Sequence, residues 1–132
     1  MTIKGVPGIG KSSIARELAQ YFIKRPHHFK DGVLYLDIKN CDQIEDVMSC
    51  MYNIIDPDSK RLKLRKEDKD EMLKELTRRY YNKKEVLIIM DNADLVINTD
   101  YPNFRILISK LLVNCNKLKI VVTSQKIVGG GL

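Results

Sequence analysis

The sequence predicts an α/β fold in three layers, a parallel sheet of about four strands between helices, and three observations predict it. Strand-like and helix-like segments alternate along the chain. A glycine-rich run, Gly5-Val6-Pro7-Gly8-Ile9-Gly10-Lys11-Ser12, stands between the first such strand and the first such helix. Val86-Leu87-Ile88-Ile89-Met90 is apolar without interruption and ends on Asp91, the pattern of a strand covered by helices on both faces. Right-handed crossovers turn this order into a parallel sheet.

Taken in order, Thr2-Ile3-Lys4 is a short β-prone stub, and Ile14, Ala15, Leu18, Ala19 and Phe22 recur as one buried helical face. Arg25-Pro26 ends that periodicity, and Asp31-Gly32 marks a turn into a second strand, Val33 to Ile38. Asp42-Gln43-Ile44-Glu45 reads as a capping box for a helix carrying Val47, Met48, Met51 and Ile55 inward, stopped at Asp56-Pro57. Residues 56 to 66 hold few packing residues and read as an exposed connection. A third helix is expected from Glu67 to Tyr81, acids in its first turn, bases at its end, with Met72, Leu73, Leu76 and Tyr80 on one face. A fourth is expected to begin near Pro102, with Phe104, Leu107, Ile108, Leu111 and Leu112 inward, and Leu118 to Thr123 makes a fourth strand. The expectation is one domain over 1–132, with 126–132 as a flexible tail.

Bulk numbers narrow the class. At 132 residues one domain with a real core fits and a second does not. With 44% hydrophobic and 30% charged residues the chain is globular rather than disordered or fibrous. No apolar run approaches the roughly 18 residues of a membrane helix, and the N-terminus lacks a basic-then-apolar leader, so a cytoplasmic location is expected. The net charge is +6, and the stretch from Lys60 to Glu85 carries nearly the whole excess. There Asp70 and Lys74, and Glu75 and Arg79, stand four apart, the spacing of a solvated helix with its own ion pairs; that reading is preferred to a nucleic-acid surface. Cys41, Cys50 and Cys115 form no C-x-x-C pair and have no histidines at ligand spacing, so buried free thiols are the expectation. His27 and His28 are adjacent, which sends their side chains in different directions and suits a polar connection better than a metal site.

The glycine-rich run fits G-x-x-x-x-G-K-[ST] at every specified position. A triphosphate needs a concave row of backbone N–H donors, and Gly5, Gly8 and Gly10 let the main chain curl that closely. Lys11 is placed to reach the β- and γ-phosphates, the Ser12 hydroxyl to hold Mg²⁺, and the following helix N-terminus to favour the anion. The candidate nucleotide-binding residues are therefore Gly5, Val6, Pro7, Gly8, Ile9, Gly10, Lys11, Ser12 and Ser13, for ATP or ADP with Mg²⁺. Bringing the metal into position takes a carboxylate at the end of a neighbouring buried strand, and Asp91 fits the Walker B pattern. Hydrolysis also needs a group that orients or deprotonates water, often an acid directly after that carboxylate; here the residue is Asn92, whose amide accepts no proton. Asp94 is either recruited for that task or caps the turn. Val121-Val122-Thr123-Ser124 ends in two hydroxyls, which by sequence alone are ordinary strand-end residues.

Together, G-V-P-G-I-G-K-S-S-I-A from Gly5, F-K-D-G-V-L-Y-L-D from Phe29, V-L-I-I-M-D-N-A-D from Val86 and K-I-V-V-T-S-Q from Lys119 resemble the nucleotide-binding core of the NB-ARC family. These are signalling ATPases of apoptosis and plant disease resistance, within the STAND class of P-loop switches. The resemblance covers nearly the whole chain and implies the P-loop NTPase form of the α/β/α sandwich. It implies Thr123 and Ser124 as a γ-phosphate sensor, a closed ADP state that opens and oligomerises on exchange for ATP, and protein partners bound through domains outside this chain. Two departures weaken hydrolysis and sensing: Asn92 replaces a second acid, and Gln125 stands where many relatives have an arginine. The family's fifth strand is missing, and the usual sheet order then leaves Thr2 to Lys4 as an exposed edge. Hydrolysis is accordingly expected to be weak or absent in this chain. A small-molecule or nucleotide kinase shares the loop and the sheet, and a nucleotide-binding interaction module without turnover shares the departures; both stay open as alternatives.

Overall fold

The computed structural model describes residues 2–4, 11–55 and 69–124. The elements run β1 (Thr2–Lys4), α1 (Lys11–Ile23), β2 (Gly32–Asp37), α2 (Ile44–Ile55), α3 (Lys69–Glu75, continued by a π-helical turn, Leu76–Tyr81), β3 (Val86–Asp91), α4 (Asp94–Asn114) and β4 (Lys119–Ser124). All strand pairings are parallel, in the order β1-β4-β3-β2. The expected α/β sandwich is what forms, with the fourth strand between the first and the third. Among the described residues β1 pairs with β4 alone and lies at the sheet edge. The expected connection at 56–66 and tail at 126–132 lie outside the described residues.

Strand alternation sorts the core into two layers. Leu87, Ile89 and Val121 face α1 and pack on its Ala15 and Ala19. Ile88, Met90, Ile120 and Val122 face the other way, into a larger cluster with Met48, Met51, Met72, Leu76, Phe104, Leu107, Ile108 and Leu111. Every residue of β3 is buried, as its uninterrupted apolar run requires. Burying each such side chain contributes about 1.5–3 kcal/mol.

At the N-terminal edge of the sheet the Asp31-Gly32 pair has a structural task. The Glu85 N–H donates to Asp31 Oδ2 at 2.8 Å and the Asp31 N–H donates to the Glu85 carbonyl at 3.1 Å, which aligns the starts of β2 and β3. Gly32 sits at φ 111°, where a side chain would be strained.

Several local expectations are corrected. Ile14 is 48% exposed, because the α1 stripe centres on Ala15 and Ala19 and leaves Ile14 on its rim. Leu112 is likewise at the rim of α4, 42% exposed. The box at Asp42 and Glu45 is shifted by one residue: the Gln43 N–H donates to Asp46 Oδ2 at 3.4 Å, and the Ile44 N–H donates to Asp100 Oδ2 on α4 at 3.0 Å. A cap from another helix therefore replaces the local one, and Glu45 is buried.

The helix expected to run to Tyr81 changes to a π-helical turn at Leu76, where the Thr77 hydroxyl donates to the Leu73 carbonyl at 2.9 Å. The π-helical turn ends with Tyr81 in the core at 3% exposure, a place not expected for it from sequence. Helix α4 consists of two helical pieces joined at a kink at Asp100 (φ −145°, ψ 38°): the expected helix follows the kink, beside Pro102, and a further piece from Asp94, not expected from sequence, precedes it. Pro102 stands two residues after the kink and lacks the N–H that an unbroken helix would pair with the Asn98 carbonyl. The rings of His27 and His28 do not diverge; their centroids are 4.2 Å apart. Cys41 and Cys115 are buried as expected, but Cys50 is only half-buried.

Candidate nucleotide-binding site

Three polar side chains meet where β2, β3 and β4 end. By strand parity Tyr35, Asp91 and Thr123 share the sheet face that packs on α1. Asp91 is 1% exposed, and both its carboxylate oxygens accept a hydrogen bond: Oδ2 from the Tyr35 hydroxyl and Oδ1 from the Thr123 hydroxyl. A buried carboxylate demands such donors, and hydrogen bonds to a charged group are among the stronger ones in a protein. The Tyr35 hydroxyl is pushed up to about 12 by burial, the bond to Asp91 and the charge of that carboxylate; Arg16 on α1 opposes them.

A second set of contacts ties the surrounding turns to this centre. The Asn92 N–H donates to Thr123 Oγ1 at 2.9 Å, and the Ala93 N–H donates to the Thr123 carbonyl at 2.9 Å. Thr123 is therefore both donor to Asp91 and acceptor from the turn that follows it. Asn92 adopts φ 64°, the left-handed region that asparagine tolerates better than most residues, and its side-chain amide donates to Asp37 Oδ1 at 3.2 Å. The Ile38 N–H donates to the Asp91 carbonyl at 2.9 Å. Ser124, 1% exposed, donates to Asp94 Oδ1 at 3.1 Å in the first turn of α4.

The sequence-predicted residues thus fall in three groups. Asp91, Asn92, Asp94, Thr123 and Ser124 come together in one hydrogen-bonded assembly. Lys11, Ser12 and Ser13 open α1, the helix on the same sheet face as Asp91. Gly5, Val6, Pro7, Gly8, Ile9, Gly10 and Gln125 lie outside the described residues; β1 ends level with Ser124, in the register Lys4 to Ser124, and the described chain resumes at Lys11.

Two members of the assembly, Tyr35 and Asp37, belong to the F-K-D-G-V-L-Y-L-D run that carries the family resemblance but were given no site role from sequence. The signal was present in part: Asp37 closes β2 with Tyr35 two residues before it, and Tyr35 shares the parity of Val33 on the α1 face. What was lacking was the β2–β3 register, Asp37 beside Asp91.

A parallel sheet with helices on both faces and a buried, doubly hydrogen-bonded aspartate at its C-terminal edge, on the face of the helix opened by Lys11 and Ser12, defines a nucleotide-binding domain of the P-loop class. The family model described as the NB-ARC domain matches residues 1–128, and the chain belongs to that family. Among solved structures it is similar to the Drosophila ORC bound to DNA, at 20% identity and TM-score 0.68 over 96% of this chain and 32% of that one. It is also similar to the Aeropyrum pernix ORC2 protein in its ADPNP–ADP complexes, at 16% identity and TM-score 0.62 over 96% and 34%. For Cdc6p from Pyrobaculum aerophilum the values are 14%, 0.59, 95% and 32%. At these identities the likeness is one of fold, and this chain spans about a third of each of those chains. No curated protein matches the chain. Among the described residues no helix is long and apolar enough to cross a membrane.

Proposed function

We propose that this domain is the nucleotide switch of a signalling ATPase, binding ADP or ATP with Mg²⁺ at Gly5 to Ser13. The observation that carries the reading is the placement of Asp91, buried and held by Tyr35 and Thr123 on the α1 face, the face on which Lys11 and Ser12 open the helix. In this reading Lys11 neutralises the β- and γ-phosphates, and the Ser12 hydroxyl and Asp91 hold the metal. Both Asp91 oxygens already accept hydroxyl donors, which suits a carboxylate acting on the ion through water. The metal supplies charge neutralisation at the phosphates.

Thr123 senses the nucleotide through Asp91 in this reading. Its hydroxyl proton is committed to that carboxylate and its oxygen to the Asn92 N–H, so a shift of Asp91 is passed to the turn leading into α4. Ser124 reaches the same helix through Asp94. Asn92 braces Asp37 and Ser124 donates to Asp94, so that the carboxylates beside Asp91 among the described residues are engaged in hydrogen bonds, which favours slow or absent hydrolysis in this chain.

Isothermal titration of the chain with Mg·ADP and Mg·ATP tests the proposal. Binding of both is expected, ADP at least as tightly as ATP, with loss in Lys11→Ala and weakening when EDTA removes the metal. Absence of binding by the intact chain, or equal binding by Lys11→Ala, overturns it.

A further inference from the structure

Cys41 and Cys50 stand apart from the nucleotide site and from anything their sequence spacing suggests. Cys41 lies within the connection from β2 to α2 and is 6% exposed; Cys50 lies in the second turn of α2 and is half-buried. Their sulfurs are 3.8 Å apart. A disulfide needs about 2.05 Å, so a movement of under about 2 Å, within reach of side-chain adjustment in a short connection, separates contact from bond. The two thiols also differ in accessibility, which divides the labour of a redox pair. One can be reached from solvent, and the other is held behind it.

We propose that Cys50 and Cys41 form a peroxide-responsive thiol pair, Cys50 the reacting sulfur and Cys41 the resolving one, closing to an intramolecular disulfide. The Cys50 thiolate attacks one oxygen of hydrogen peroxide; an S–O bond forms, the O–O bond breaks and hydroxide leaves, which takes a proton to become water. The Cys41 sulfur then attacks the Cys50 sulfenic acid, losing its proton; the S–S bond forms, the S–O bond breaks and a second water leaves. Two thiols are oxidised by two electrons and one peroxide is reduced to two waters. The greater exposure of Cys50 sets this polarity; either sulfur can donate in the contact between them, and when Cys41 does so the Cys50 thiol is lowered, against burial and the neighbouring Asp46, while the Cys41 thiol is pushed up. Cys115 is the internal contrast, fully buried, pushed up by burial, and 3.7 Å from the Thr77 carbonyl it donates to.

Closure would act on the wall of the nucleotide site. The segment that ends at Cys41 carries Asp37, which accepts from Asn92, and Ile38, whose N–H donates to the Asp91 carbonyl. A bond from Cys41 to α2 removes that segment's freedom to follow Asp91.

The chemistry is read by mass spectrometry on the full chain, independently of nucleotide. Residues 40 to 60 contain no lysine or arginine before Lys60, so trypsin releases Cys41 and Cys50 in one peptide and Cys115 in another. After brief peroxide treatment and alkylation of free thiols, the expected result is a 40–60 peptide lighter by two hydrogens and unalkylated, while the Cys115 peptide remains alkylated. Cys50 should react at least about tenfold faster than Cys115. Cys41→Ser should trap a dimedone-reactive sulfenic acid on Cys50, and Cys50→Ser should leave Cys41 alkylatable. The proposal is overturned if native Cys50 stays alkylatable, if it advances to the sulfinic acid with Cys41 still free, or if Cys115 is consumed as fast.

Discussion

Asp91 is the residue on which the site's hydrogen bonding converges, and its two hydroxyl partners are not equivalent in how they are held. Thr123 is completely buried and also accepts the Asn92 N–H, whereas Tyr35 is partly exposed and faces Arg16. Removing either donor leaves one carboxylate oxygen short of a partner. Tyr35→Phe and Thr123→Val are each expected to cost about 1.5–3 kcal/mol in urea unfolding, the range for hydrogen bonds to a charged group. Tyr35 also sets an alkaline signature. Its folded value, about 12, lies above the ordinary 10.0, so its stabilisation is fully present below pH 10 and is lost as pH rises towards 12. Melting temperatures measured across that window should fall less steeply in Tyr35→Phe than in the parent chain; an unchanged slope would refute the assignment.

Helices α2, α3 and α4 show how elements substitute for one another's local signals. Asp100 sits at the kink of α4, accepts the Asn103 side-chain amide at 2.8 Å through Oδ1 and caps the start of α2 through Oδ2. Asp100→Ala removes both, and a loss of about 1 kcal/mol, in the range of a lost N-cap, is expected by chemical denaturation. The π-helical turn places Tyr81 in the core with a hydroxyl that finds no partner among the described residues. An unpaired buried hydroxyl is unfavourable, so Tyr81→Phe is expected to leave stability unchanged or raise it by up to about 1 kcal/mol. A destabilised Tyr81→Phe would show that the hydroxyl is bonded after all. Neither feature could be read locally: the partner of the Ile44 N–H lies 56 residues away, and a π turn leaves no mark in a 3.6-residue periodicity.

For the whole molecule the prediction is linkage between nucleotide and stability. On the proposed reading, nucleotide at a hundred times its dissociation constant adds about 2.7 kcal/mol, visible as a raised thermal midpoint in the parent chain and absent in Lys11→Ala. The geometry that would transmit binding is also global. From Asp91, hydrogen bonds run to β2 through Tyr35, to β4 through Thr123 and, by way of Asn92, to Asp37, while Ser124 and Asp94 tie β4 to α4.

The sequence by itself determined the class of fold, the loop pattern and the aspartate that closes β3, because these rest on periodicity and on spacing within single segments; the strand order came only as what the family resemblance implies. Val86 to Met90 had to be a central strand wherever its neighbours lay. The tertiary structure alone decided which hydroxyls would satisfy that aspartate, which helix would cap α2, how far α4 would reach back before Pro102, and that two cysteines nine residues apart would touch. Each depends on register between strands or on the approach of distant helices, and a linear pattern of residue types carries no information about either until the chain is packed.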